Sequence, residues 1–228
     1  FAEPVMGAGG VILPPAGYFA EIRAVLDKHD VLLVADEVIC GFGRTGNMWG
    51  SQTFDVRPDM LTCAKALSSA YLPISAVMMS DKVYAPLAEQ AETLGIFGHG
   101  YTYSAHPVGA AAVVACLSET QRLDTKTNAA ARGTQLYEGI LNLQKKYDVI
   151  GDVRGGQGLM TGVEIVSDRA SKTPMDMPTM KRLHQATYEA GAMVRLGMHN
   201  VLMSPPLVIT EAEVDRIISA LDAGLAAI

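Results

Sequence analysis

Val31-Leu32-Leu33-Val34-Ala35, running straight into Asp36-Glu37, is the stretch on which the fold turns. Five apolar residues without alternation describe a strand covered on both faces, as in a parallel sheet, and the acidic pair marks its exit into solvent or a site. Upstream, a Gly- and Pro-rich opening from Gly7 to Gly17 leads into a segment from Tyr18 to His29 with Phe19, Ile22, Val25 and Leu26 at helical spacing. Downstream, Met60-Leu61-Thr62-Cys63-Ala64 is a second apolar segment ending at Lys65, and Ile74 to Met79 reads as a third strand. Alternating helix, strand and loop predict an α/β fold with a mostly parallel sheet, whose functional groups gather beyond the carboxyl ends of the strands.

The second half has another rhythm. After Pro107 the small residues Gly109 to Ala115 suit a tightly packed helix, and a long helix is predicted from Asn128 to Lys146. Val149 to Gly156 and Leu159 to Val166 read as strand, turn and strand. Helices near Thr179–Ala190 and Glu211–Ala226 flank short strands at Met193–Arg195 and Val201–Met203. The expected organisation is therefore a first domain over 1–125 and a smaller α+β domain over 126–228, the junction falling in Gln121–Thr127.

Composition narrows the function classes. Of 228 residues 49% are hydrophobic and only 18% charged, which suggests surface covered by a partner subunit or by further chain. A net charge of -6 without a basic patch argues against nucleic-acid binding, and no apolar run approaches the ~20 residues of a membrane span. Cys40, Cys63 and Cys116 form neither a CxxC pair nor an even disulfide set, so a reducing compartment, by default the cytoplasm, is expected and no metal site is. The opening Phe1-Ala2-Glu3-Pro4-Val5 has no initiator Met and no signal-peptide layout, and reads as a chain entered in mid-strand.

Two ionisable residues stand where apolar segments end: Asp36 and Lys65. Burying either alone costs several kcal/mol, and a ligand that pairs with both removes that cost. Pyridoxal 5'-phosphate (PLP) is such a ligand. Its aldehyde condenses with a lysine amine, and its pyridinium nitrogen needs a carboxylate to stay protonated. On spacing alone the plainer readings, a strand-end cap and an exposed loop lysine, outweigh the cofactor.

The surrounding words reverse that balance. Ala2-Glu3-Pro4-Val5-Met6-Gly7-Ala8-Gly9-Gly10, Asp36-Glu37-Val38-Ile39-Cys40-Gly41-Phe42-Gly43-Arg44-Thr45-Gly46, Pro58 to Leu67, Tyr71 to Ala76 and His99 to Pro107 resemble class III aminotransferases, in the family's order and spacing. The resemblance implies the C-terminal part of the PLP-binding large domain over 1–125, followed by the small domain. It implies that Lys65 forms the internal aldimine and then moves the substrate proton, that Asp36 pairs with the pyridinium nitrogen, and that Val38 packs on the ring. Thr102 is implied to reach the phosphate of the other subunit in a homodimer or higher homo-oligomer. Ile39 and Ala66 depart from the Gln and Gly common in the family, which removes a side-chain hydrogen bond to the cofactor hydroxyl and adds a methyl beside the lysine. The family's phosphate-binding turn and ring-stacking aromatic belong upstream of Phe1.

Two positions bear on substrate. Ornithine- and GABA-type relatives place an arginine three residues before a Pro-Pro pair. Here that place, before Pro205-Pro206, is Leu202. Arg195 instead matches the mobile arginine of the amine:pyruvate branch, suited to a keto-acid carboxylate by its two parallel donors; its plainer reading is a strand-end surface arginine. Glu3 matches a glutamate near the substrate pocket, or else is a strand-end carboxylate paired with an arginine such as Arg44. The expected activity is ping-pong transfer of an amino group from an amine or ω-amino acid to pyruvate. An aminomutase or decarboxylase of the same fold, and an inactive fragment serving only in dimerisation, are the alternatives.

Overall fold

The computed structural model describes residues 1–228, which divide into two compact units. The first comprises Phe1–Pro4, Pro14–Phe42 and Trp49–Asp124; the second comprises Val5–Leu13, Gly43–Met48 and Thr125–Ile228. The second unit therefore takes two short loops from the N-terminal half, where the sequence suggested a contiguous division.

In the first unit, helix α1 (Tyr18–Lys28) precedes β1 (Val34–Asp36), the short α2 (Gly50–Thr53), β2 (Met60–Cys63) and a 3-10 turn over Lys65–Leu67. Strand β3 (Ala76–Met79), α3 (Asp81–Leu94) and α4 (Pro107–Arg122) follow. The sheet order is β1-β2-β3, with β1 and β2 parallel and β3 antiparallel at the edge. A parallel bridge from Ala2 to Ala35 extends the other edge. The unit is thus α/β, as expected, and its sheet is mixed: parallel between β1 and β2 and at the Ala2 bridge, antiparallel at β3. Strand β1 is shorter than the apolar run because Asp59 intervenes. Its carboxylate accepts from Leu33 N at 2.8 Å, and Leu33 O accepts from Asp59 N and Met60 N, so pairing starts only at Val34 and leaves Val31 and Leu32 exposed. Helix α3, with Pro86 inside it, was not legible in the sequence and buries no residue. Of α4 only Gly109 is buried, so the small residues there do not sit in a tight core.

The second unit holds α5 (Thr125–Lys146), β4 (Ile150–Arg154), β5 (Thr161–Asp168), β6 (Thr173–Pro174), α6 (Met177–Glu189), β7 (Arg195–Gly197), β8 (Asn200–Met203) and α7 (Glu211–Ala226). Its antiparallel sheet runs β4-β5-β8-β7, with β6 beside β5. One face packs on the helices through Leu136, Ile140, Val163, Val201 and Leu221, all fully buried. Two glycine contacts set the packing of the Gly43–Met48 loop. A Cβ on Gly133 would lie 2.0 Å from Gly158 O, and one on Gly158, whose φ is +70°, would lie 2.2 Å from Arg44 O. Nothing larger than hydrogen fits either place.

Candidate active site

The parallel pairing of β1 with β2 sets the geometry. The register Val34↔Met60, Ala35↔Leu61, Asp36↔Thr62 makes both strands end at the same edge, and Glu37 N donates to Thr62 O at 2.9 Å. Asp36 therefore leaves β1 beside the chain that, three residues after Thr62, becomes Lys65. On the opposite side of β1, Ala2 N donates to Val34 O and Asp36 N to Ala2 O, at 3.0 and 2.9 Å, so Glu3 emerges at that same end. The structure brings Asp36, Lys65 and Glu3 to one set of strand ends.

Each is presented differently. Asp36 is half-buried, and its Oδ1 accepts from Val38 N at 3.0 Å; this turn orients the carboxylate and places the half-buried Val38 directly after it. Glu3 is half-buried as well. Lys65 is exposed and its backbone φ is 45°, the left-handed region that a residue with a Cβ adopts only under constraint. The apolar strand delivers the lysine, and the following 3-10 turn forces it outward.

Sequence reasoning passed over Glu37. It is fully buried, and its two carboxylate oxygens accept from Gly50 N at 2.8 Å and Ser51 N at 2.6 Å, closing the base of the loop that follows Asp36. Its signal was present: a second acidic residue at the end of a fully apolar run needs partners. Cys63, two residues before Lys65, is buried, and that burial pushes its thiol pKa up.

Thr102 is carried elsewhere in the first unit, exposed in the turn Thr102–Ala105 that precedes α4. Arg195 belongs to the second unit, exposed at the start of β7, and its side chain makes neither a hydrogen bond nor an ion pair. It stands directly across from Leu202 in the register of β7 with β8. The two positions that the family resemblance links to a substrate carboxylate are therefore cross-strand neighbours on one face of a hairpin. Arg44, in the second unit, donates from Nη1 to Leu159 O and Pro205 O, both at 2.7 Å.

The donor set at the strand ends fits part of PLP. A half-buried carboxylate suits the pyridinium nitrogen and a free primary amine suits the aldehyde. The amides that open α2 are taken by Glu37 and offer the phosphate nothing.

The description "Aminotransferase class-III" matches residues 1–225. A diaminobutyrate–2-oxoglutarate transaminase of Halomonas elongata is 42% identical over 222 residues, covering 95% of this chain and 47% of its own length. A transaminase solved with L-alanine is 45% identical with a TM-score of 0.94, covering 99% of this chain and 53% of that one. An amine transaminase from an uncultivated Pseudomonas species in its PLP-bound form is 40% identical, again with a TM-score of 0.94, over 99% of this chain and 51% of that one. The chain thus spans about half the length of the relatives it matches. Motifs, parallel-strand register and these likenesses agree, and the chain belongs to the class III aminotransferase family.

Proposed function

We propose that the complete protein is a PLP-dependent aminotransferase that moves an amino group from an amine or ω-amino acid to pyruvate in two half-reactions at one site. The observation that carries this reading is the pairing of Asp36 with Thr62, by which a carboxylate and an unpaired lysine leave adjacent parallel strands at the same end. PLP, when bound, supplies an electron sink for the carbon that loses its proton. The chain's residues do the rest. Asp36 holds the proton on the ring nitrogen, and Val38 lies against the ring. Lys65 anchors the cofactor and moves the proton at the substrate carbon. Residues 1–125 belong to the cofactor domain and 126–228 to the small domain.

Pyruvate is favoured as acceptor by Arg195, the exposed and unpaired guanidinium opposite Leu202, and by the likeness to a transaminase solved with L-alanine, the amino acid that pyruvate becomes. Glu3, at the same strand ends as Asp36, faces the donor side of the pocket. In the homodimer we propose, Thr102 serves the phosphate of the other subunit; the exposed Tyr101 and Tyr103 beside it suit a covered surface. No helix is long and apolar enough to cross a membrane, and the three free cysteines favour the cytoplasm.

The test is borohydride reduction of the PLP-loaded protein followed by peptide mapping. The pyridoxyl group is expected on Lys65, and its recovery on another lysine overturns the reading.

A further inference from the structure

The registers of the second unit's sheet line up four residues in one cross-strand row: Arg154 opposite Gly162, Gly162 opposite Leu202, and Leu202 opposite Arg195. Directly opposed residues point to the same face, so two guanidiniums stand at the two ends of one row. They are in opposite states. Arg195 is exposed and unpaired. Arg154 has a side chain only 17% exposed and spends its donors on four groups: Nη1 on Asp152 Oδ2 at 2.9 Å and Glu164 Oε2 at 2.8 Å, Nε on Gly10 O at 2.8 Å, and Nη2 on Asn200 Oδ1 at 2.6 Å. With two carboxylates on it, Arg154 has no charge left for a substrate.

What Arg154 holds is informative. Gly10 ends the Gly7–Gly10 turn, whose carbonyl lies over the middle of the row; a Cβ on Gly162 would come within 2.5 Å of Gly10 O. Asn200 is the first residue of β8 and pairs with Gly197, so it closes the tight β7–β8 connection whose Met198 has a φ of 31°. Arg195 lies two residues before Gly197 in that hairpin. One half-buried fork thus ties both the turn that covers the row and the hairpin from which Arg195 projects.

We infer that Arg154 is a positioning residue for carboxylate recognition: by tying Gly10 to Asn200 it sets where the Arg195 guanidinium meets the acceptor. The inference rests on the assignment of Arg195 to the acceptor carboxylate. It accounts for Gly162, whose missing side chain lets the turn lie on the sheet, and for Gly10, where a Cβ would lie 3.3 Å from Arg154 Nη2.

The experiment compares Arg154→Met, Asn200→Ala and Arg195→Ala in the complete enzyme, with pyruvate as acceptor and a carboxylate-free amine as donor. Arg154→Met is expected to raise the KM for pyruvate about 10-fold while the KM for the amine and kcat stay within about 2-fold, because only geometry at the carboxylate is lost. Asn200→Ala, which keeps both ion pairs of Arg154 and so the fold, is expected to move the same KM about 3-fold. Hydrogen exchange at Leu196–His199 should quicken in both, with α5 and α7 unchanged. Equal rises for pyruvate and amine, or an Asn200→Ala protein with parental KM values, overturn the positioning role. If Arg195→Ala itself leaves the pyruvate KM unchanged, the acceptor assignment fails instead; impaired Arg195→Ala beside parental Arg154→Met and Asn200→Ala leaves that assignment standing and removes only the brace.

Discussion

The two units are built to different standards of closure. In the second, α5, α6, α7 and the sheet share a continuous interior, and both α6 and α7 open with a side-chain cap, from Asp176 and Thr210. In the first, the cluster around Phe19, Leu33 and Val56 is small, β3 is exposed along its length, α3 buries nothing, and α1, α3 and α4 begin without a side-chain cap. Val77, Tyr84, Phe97, Tyr101, Tyr103 and Val114 are each more than half exposed. The lesson is one of division. The unit that carries Asp36 and Lys65 buries its β1–β2 residues but leaves a set of large apolar side chains outward, whereas the unit that carries Arg195 closes on itself.

The contrast breaks most visibly in the core. Leu136→Ala, at a fully buried site in α5, is expected to cost about 2–5 kcal/mol, whereas Leu94→Ala at the end of α3 stays within about 0.5 kcal/mol. Urea midpoints of the two variants decide it, and equal losses would erase the difference between the units.

A second substitution probes the first unit where it is tied. Burial pushes the Asp59 carboxyl up, but the Leu33 N–H, the Arg23 guanidinium at 2.9 Å and the Lys82 charge outweigh it and hold the pKa below the usual carboxylate value. A carboxyl depressed in the folded state contributes stability above its unfolded pKa and loses it as pH falls through the folded value. Asp59→Ala should therefore cost about 1–3 kcal/mol near neutrality, with the gap to the parent closing below pH ~4. Thermal melts across pH test this, and a gap that widens in acid contradicts it.

The caps sharpen the comparison further. Thr210 Oγ1 accepts from Glu213 N while Glu213 Oε2 accepts from Thr210 N, so Thr210→Ala should lose about 1 kcal/mol. At the matching place before α3, the buried Ser80 Oγ has no partner, and Ser80→Ala should be neutral or slightly stabilising. The smallest effect is kinetic. Cys116 is half-buried while Cys40 and Cys63 are buried, and burial raises the Cys63 thiol pKa, so iodoacetamide should label Cys116 first.

Much of this was legible from residues. The run before Asp36 announced a parallel strand, and the helix over Glu211–Ala226 was readable from its period. Other features were not. The apolar run Ile74–Met79 reads as a covered strand, yet apolarity says only that a segment wants cover, not that its own unit supplies it. Strand β7 spans Arg195–Gly197 rather than Met193–Arg195, because the pairing of Gly197 with Asn200, not hydrophobicity, fixes its ends. Helix α3 escaped notice because Pro86 interrupts its pattern. Of the site, Asp36 and Lys65 stood out as charges beside apolar strands. Glu37 carried a signal in its place after a fully apolar run, but its backbone partners did not show, and Arg154 gave none, since its partners Gly10 and Asn200 lie far along the chain.

The backbone of Lys65 bears on how variants of this protein are chosen. A lysine with φ of 45° sits about 1–2 kcal/mol above its relaxed conformation, a cost that glycine escapes. Lys65→Gly should then melt higher than the parent while losing the amine assigned to the cofactor. A library ranked on thermal stability or expression alone would enrich that replacement, so any such screen must also select for turnover or cofactor capture.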